Sequence, residues 1–325
     1  MRNSRRILKI IIFLMMAMLF NEMMNYMIYP YTYSRAEMHH MEASQLNQLI
    51  VGTSHGKCGI DPAVLDEVMG TKTFNSCQGG EYPIDSYYLI READRVHDLK
   101  RVVYELDPGY WVTGDGQNAQ YIAYLREFPN SPLKALYWKD KLLDGDFRST
   151  FFPWYFYRNQ LMNIKENIKQ KQSEIYRNYS FEPFSGEGQT SREDGFIYRN
   201  RIETEKIPVD PLNLWEDKNL NPVNVKWFEK MYEYCKEEGI ELIVVITPVP
   251  EETLELYSEN YRKAYDYLER YMKGKDLIYL NYSRIVDDRY SRSLVDFADQ
   301  EGHMYGDAAA IFSRSLGDDI MNCFK

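Results

Sequence analysis

The stretch "LIVGTSHGKCGIDP", residues 49–62, ends an apolar run on Gly52, Thr53 and Ser54, with further glycines at 56 and 59. A serine shown at a strand end can act as a nucleophile. It then needs a base within hydrogen-bond reach, a carboxylate to orient that base, and backbone donors for the oxyanion. The same pattern also serves as a plain turn or helix start, so the partners decide. Five histidines are available. His39 and His40 lie in a polar segment near the N-terminus, His55 is expected to point away from its neighbour Ser54, and His97 sits in "EADRVHDLK" ahead of a strand. That leaves His303, in "DFADQEGHMYGDAAAIF", with Asp299 four residues earlier and Asp296 and Glu301 close by as carboxylates able to orient it.

The elements that must bring Ser54 and His303 together alternate in type. "QLIVGTS" reads as a short strand. "DPAVLDEVMG" reads as a helix with Asp61 as N-cap, Pro62 in the first turn and Gly70 as the stop. "KTFN" is a second strand, "PIDSYYLIREADRVHDLK" a helix by its apolar spacing, and "RVVYELD" a third strand apolar enough to be buried on both faces. Later come "GIELIVVITPVP", the clearest buried strand, then "DLIYLNYS" and the amphipathic helix "MYGDAAAIFSRSLGDDIMNCF". Strands alternating with helices predict an α/β fold, a three-layer α/β/α sandwich around a parallel sheet. In such a sheet ligands sit beyond the carboxyl ends of the strands. Ser54, the Gly79–Gly80 pair of "FNSCQGGEY", and "DPGYW" all fall there.

From about 112 to 222 the alternation stops. The first part of this insertion is expected to be helical and aromatic-rich; the second, "SFEPFSGEGQTSREDGFIYRNRIETEKIPVDPLNLWEDKNLNP", is expected to be a long loop over the active edge of the sheet. The N-terminus reads as a separate element of residues 1–30. Arg2, Arg5, Arg6 and Lys9 precede the apolar run Ile10–Phe20, which predicts a cytoplasmic N-terminus and an extracellular main domain held by a single membrane pass. An uncleaved anchor is preferred to a cleaved signal peptide, because no small-x-small site follows; a buried soluble helix is the third reading. Residues 31–46 read as a polar juxtamembrane segment, and 47–325 as the main domain.

A net charge of -10 with no cluster of Lys and Arg beyond the N-terminus argues against nucleic acid as the partner. Four cysteines are too few for a disulfide scaffold, and no local His/Cys spacing suggests a metal. Cys58 and Cys77 both follow strands; the sequence does not decide whether they pair.

The combination "VGTSHG", "FNSCQGG" and "FADQEGHMYGDAAAIFSRSL" resembles the blocks of the SGNH (GDSL-like) hydrolase superfamily. Within it, the N-terminal anchor and "ELDPGYW" are most similar to the membrane-anchored DltD-like proteins of D-alanyl-lipoteichoic acid biosynthesis. The resemblance spans about residues 45–110 and 240–325, outside the insertion. It implies Ser54 as nucleophile, His303 as base, Asp299 as orienting acid, and the N–H groups of Ser54 and of Gly79 or Gly80 as oxyanion donors. Two positions depart from the superfamily pattern. The asparagine donor of the third block is replaced by "ELDPGYWV", as in DltD-like proteins, with no Asn before Asn118; the Trp111 indole or a tyrosine is a candidate substitute. The acid–base spacing is four residues rather than three, which keeps Asp296 and Glu301 as rivals. The implied function is an extracytoplasmic serine acyltransferase or esterase acting on a teichoic acid or cell-envelope glycan, with a multi-pass membrane O-acyltransferase as partner and no metal or organic cofactor. The alternatives are a non-catalytic envelope scaffold that binds polymer, and a general carboxylesterase.

Overall fold

In the computed structural model, which describes residues 2–114, 121–144, 146–203, 205–285 and 287–323, helices α1 (Arg2–Ile28) and α2 (Tyr33–Ala43) precede strand β1 (Gln48–Val51). Next come α3 (Ser54–Gly59), α4 (Pro62–Met69), β2 (Thr73–Asn75), α5 (Pro83–Val96), β3 (Arg101–Glu105) and α6 (Gly109–Val112). A helical stretch follows: α7 (Tyr121–Glu127), α8 (Pro132–Asp144), α9 (Phe147–Phe151), α10 (Pro153–Phe156), α11 (Ile164–Lys171) and α12 (Glu174–Arg177). The chain then forms the hairpin β4 (Gln189–Ser191) and β5 (Ile197–Arg199), and returns to alternation with α13 (Pro222–Glu238), β6 (Glu241–Ile246), α14 (Glu251–Leu256), α15 (Ser258–Lys273), β7 (Ile278–Asn281) and α16 (Gly306–Cys323).

Five strands form one parallel sheet in the order β2-β1-β3-β6-β7. Leu49 lies between Phe74 and Val102, and Val244 between Tyr104 and Tyr279. Val102, Val103, Ile243, Val244 and Val245 have no exposed surface. Their strands are covered on both faces, which is why the sequence there is continuously apolar rather than alternating. Helices flank the sheet: α5 packs on α13, and α16 on α4. The chain leaves β1 first toward β2 and then back toward β3. A reversal of this kind opens a crevice beyond the carboxyl ends of the two inner strands.

Local chemistry fixes the helix ends. Asp61 accepts the Ala63 N–H at 3.0 Å, Pro62 occupies the first turn, and Gly70 closes α4 in the left-handed region at φ 69°. On α15, Tyr261, Ala264, Tyr265, Leu268 and Met272 are buried, the i, i+3, i+4, i+7, i+11 spacing of one helical face.

The chain divides into two units, Met1–Ala36 with Tyr121–Ser180, and Glu37–Gln120 with Phe181–Lys325. The two parts expected of the insertion fall on either side of this division: its helical part joins the N-terminal helix, and its loop part joins the sheet. The segment read as a juxtamembrane linker is α2, and Glu37, Met38 and Met41 are buried in the sheet unit. Ser4–Ile28 of α1 is the one helix among the described residues long and apolar enough to cross a membrane, and its apolar window is wholly unburied. The helix runs past the apolar core read from sequence, through Asn21, Glu22 and Asn25.

Candidate active site

The exit of β1 is built around a close backbone approach. Gly52 has φ 139°, and a Cβ there would lie 2.2 Å from the Glu105 carbonyl oxygen, so this position requires glycine. Its N–H donates to Glu81 Oε1 at 3.2 Å, while the N–H and hydroxyl of Thr53 donate to Glu105 Oε2 at 2.7 and 2.8 Å. Thr53 also caps α3, accepting the His55 N–H at 3.3 Å. Ser54 is the first residue of that helix, where the N–H has no acceptor within the helix.

A buried polar network anchors α3 from behind. Lys57 Nζ donates to Glu37 at 2.7 Å and to the Asn75 carbonyl at 3.1 Å. Asn75 Nδ2 donates to the carbonyls of Gly56 and Ile60, each at 2.9 Å. Glu37 accepts a further bond from Gln78, in the loop that carries Gly79.

Ser54 Oγ lies 2.8 Å from His303 Nε2, and His303 Nδ1 lies 2.6 Å from Asp299 Oδ2. With Nδ1–H donating to the carboxylate, Nε2 is free to accept the serine hydroxyl. The four-residue spacing has a local explanation: Asp299 Oδ1 accepts the N–H groups of Glu301, Gly302 and His303 at 3.0, 3.1 and 3.2 Å, so the extra residue is wound into a turn around the carboxylate. Burial opposes charge on Asp299, but the His303 hydrogen bond, its charge and the backbone N–H groups outweigh it and hold the carboxyl well below the usual range. Neither rival takes the place of Asp299 at His303 Nδ1. Asp296 is paired with Arg201 at 2.6 Å, and Glu301 is exposed beside the two imidazoles of His55 and His303.

No family model and no curated protein matches this chain.

Gly79 opens onto the serine: a Cβ there would lie 3.9 Å from Ser54 Cβ. Gly80, at φ 76°, turns the chain away behind it. Trp111, read as a substitute oxyanion donor, is instead a core side chain. It is fully buried against Phe228 and Tyr271, and its indole N–H, with the Tyr104 hydroxyl as neighbour, makes no hydrogen bond of normal geometry. Asn118 lies outside the described residues. His55 packs beside His303. Its ring centroid lies 4.7 Å from that of His303, and its Nδ1 is 3.6 Å from Asp107, whose other oxygen accepts the Gly109 N–H at 2.7 Å. "ELDPGYW" therefore brings a carboxylate rather than a donor side chain to this crevice.

The fold also gathers His55, Glu301 and His303 so that one ligand atom of each lies within 4.8 Å of the others, a grouping invisible in local spacing. Both His303 nitrogens are already engaged by Asp299 and Ser54, so a cation held there would compete with the serine contact. Cys58 and Cys77 are free and buried, and burial pushes the Cys58 thiol up to about 11.

Sequence reading missed the braces on the His303 loop. Arg201 pairs with Asp296 and Asp307 and donates to the Val295 carbonyl at 2.8 Å, while Lys206 donates to the Leu294 carbonyl at 2.7 Å. Gln300 donates to the Lys206 carbonyl, and Thr253 of α14 to the Gln300 carbonyl. Tyr198 of β5 covers Gly306, where a Cβ would meet its ring at 2.3 Å. The loop half of the insertion thus lies on the segment that carries His303.

Proposed function

We propose that this chain is a membrane-anchored, extracytoplasmic serine acyltransferase or esterase of SGNH type that acts on a cell-envelope polymer. The observation that carries the reading is the hydrogen-bonded chain Asp299–His303–Ser54 at the carboxyl end of β1. Supporting the fold part of the proposal, α5 with α13 and α4 with α16 would form the two helical layers of an α/β/α sandwich.

In the mechanism, the Ser54 proton passes to His303 Nε2 as Oγ attacks the carbonyl of an acyl donor, acetyl or D-alanyl by analogy. Asp299 holds the imidazole in the required tautomer and offsets the charge of the imidazolium. The N–H groups of Ser54 and Gly79 or Gly80 receive the oxyanion. Collapse of the tetrahedral species expels the leaving group, which takes the proton from His303 and leaves an ester on Ser54. A polymer hydroxyl, or water, then gives its proton to His303 and attacks that ester, and the proton returns to Ser54. With Trp111 in the core, no side-chain donor is assigned to the oxyanion. Loss of one such donor costs about a hundred- to a thousandfold in rate, so turnover is slow unless a membrane O-acyltransferase partner completes the site.

A non-catalytic polymer-binding scaffold is the second reading, and Asp107 favours it, because a carboxylate near the crevice opposes a developing oxyanion. Hydrolysis of p-nitrophenyl acetate by the purified full-length protein separates the two. Turnover abolished in Ser54→Ala supports the enzyme; a rate that Ser54→Ala leaves intact contradicts it.

A further inference from the structure

The apolar run of α1 is too short for the task assigned to it. Ile10–Phe20 spans about 16 Å at 1.5 Å per residue, against a hydrocarbon core of about 30 Å. To cross, the span must extend from about Ile7 to about Tyr26, which carries Asn21, Glu22 and Asn25 to the level of the outer acyl chains. Polar side chains at that depth need partners. The helical unit supplies them. Asn21 Oδ1 accepts the Trp154 indole N–H and Asn25 Oδ1 the Trp154 backbone N–H, each at 3.0 Å, and Glu22 pairs with Arg126 at 2.7 Å.

These bonds fix Trp154 at the same depth as Asn21 and Asn25. From Trp154 a chain of ring contacts runs to Phe152 at 6.3 Å, Phe151 at 5.6 Å and Phe147 at 5.2 Å. Phe147 is 56% exposed, Phe151 41% and Phe152 37%. Three large apolar rings that face outward, continuous with an unburied apolar helix, form an aromatic belt of the kind found where acyl chains meet headgroups. Arg148 and Arg158 lie over the Tyr155 ring in the same segment, and Arg148 is also paired with Asp146 at 3.2 Å.

We infer that the ridge Phe147–Phe151–Phe152 is embedded in the outer interface of the bilayer that α1 crosses, so that residues 121–180 form an interfacial membrane platform rather than a water-exposed insertion. The inference rests on α1 being a retained membrane span.

The test uses the full chain in phosphatidylethanolamine–phosphatidylglycerol vesicles, with Cys323→Ser as background and an environment-sensitive NBD label at Leu14→Cys, Phe151→Cys, Phe147→Cys or Glu187→Cys. Labels at 151 and 147 are expected to lose fluorescence more to lipids doxyl-labelled near the carbonyl than to those labelled mid-chain. The label at 14 should show the reverse, and the label at 187 should respond only to aqueous iodide. Iodide quenching without lipid quenching at both 151 and 147, with Leu14 quenched by lipid, overturns the inference alone. Loss of lipid quenching at Leu14 as well overturns the anchor and the inference together.

Discussion

Asp299 orients His303 through one carboxylate oxygen and winds the preceding turn through the other. Asp299→Asn retains much of this geometry but stabilises the wrong imidazole tautomer. It should reduce ester turnover by about 10⁴-fold, measured with p-nitrophenyl acetate, and a loss below about tenfold would contradict the assigned role. The pairing also favours the ionised carboxyl in the folded state, so its stabilisation is present above about pH 4 and lost as acid titrates Asp299. Glu81 behaves in the opposite sense. Burial holds its carboxyl well above the usual range despite bonds from Ser86 and Gly52. The folded protein therefore keeps a proton that the unfolded chain releases near about pH 4, and stability from this group falls as pH rises above that value. Glu81→Gln does not ionise, so its melting temperature should gain on the parent between about pH 5 and pH 8. A difference constant across that range contradicts this. Ser54 and His303 were legible as a pair because so few histidines stood near a helix start. The place of His55 was not, because its ring direction depends on the turn at Thr53 and on Asp107, which lies just past the end of β3.

At the scale of elements, the position of Ser54, the proposed nucleophile, depends on how firmly α3 is held. Lys57 and Glu37 form an ion pair with side chains 6% and 0% exposed, joining α3 to α2 and to the loop after β2. Lys57→Met removes one partner and leaves the other carboxylate buried, which should cost about 3–5 kcal/mol in denaturant unfolding. A loss under about 1 kcal/mol would show the pair to be dispensable. On the other side Arg201 braces the loop that carries His303, and in the proposed mechanism it is a positioning residue for that base. Arg201→Ala should lower kcat while leaving KM for a small ester near its parent value, and Arg201→Lys should restore part of the loss; a change confined to KM contradicts that role. Helix α4 was readable residue by residue, since an aspartate cap, a first-turn proline and a terminal glycine are local signals. The braces were not, since Arg201 and Asp296 are 95 residues apart and the segment between β5 and α13 has no periodic pattern.

At the scale of the whole molecule, the alternation of apolar runs and amphipathic helices was enough to predict a parallel sheet, but the order β2-β1-β3-β6-β7 is set by packing. That order places the exits of β1 and β3 side by side, and brings Ser54 and His303 into contact across 249 residues. The division of the insertion was legible in part: the change from an aromatic-rich helical stretch to a polar one at "SFEPF" marks the boundary near 180, but nothing in composition says that 121–180 join α1 while those after 181 join the sheet. The proposed orientation has a direct consequence at Cys323, the exposed thiol among the four cysteines. In intact cells a membrane-impermeant maleimide should label Cys323 and spare the three buried thiols, whereas labelling only after permeabilisation contradicts an extracytoplasmic domain.

The nucleophilic role of Ser54 is tested most directly by peptide mass spectrometry after brief exposure of the full-length protein to p-nitrophenyl acetate. An acetyl mass addition on the Ser54 peptide that is absent in both Ser54→Ala and His303→Ala is the predicted result. An unmodified Ser54, or acetylation that persists undiminished without His303, would contradict it.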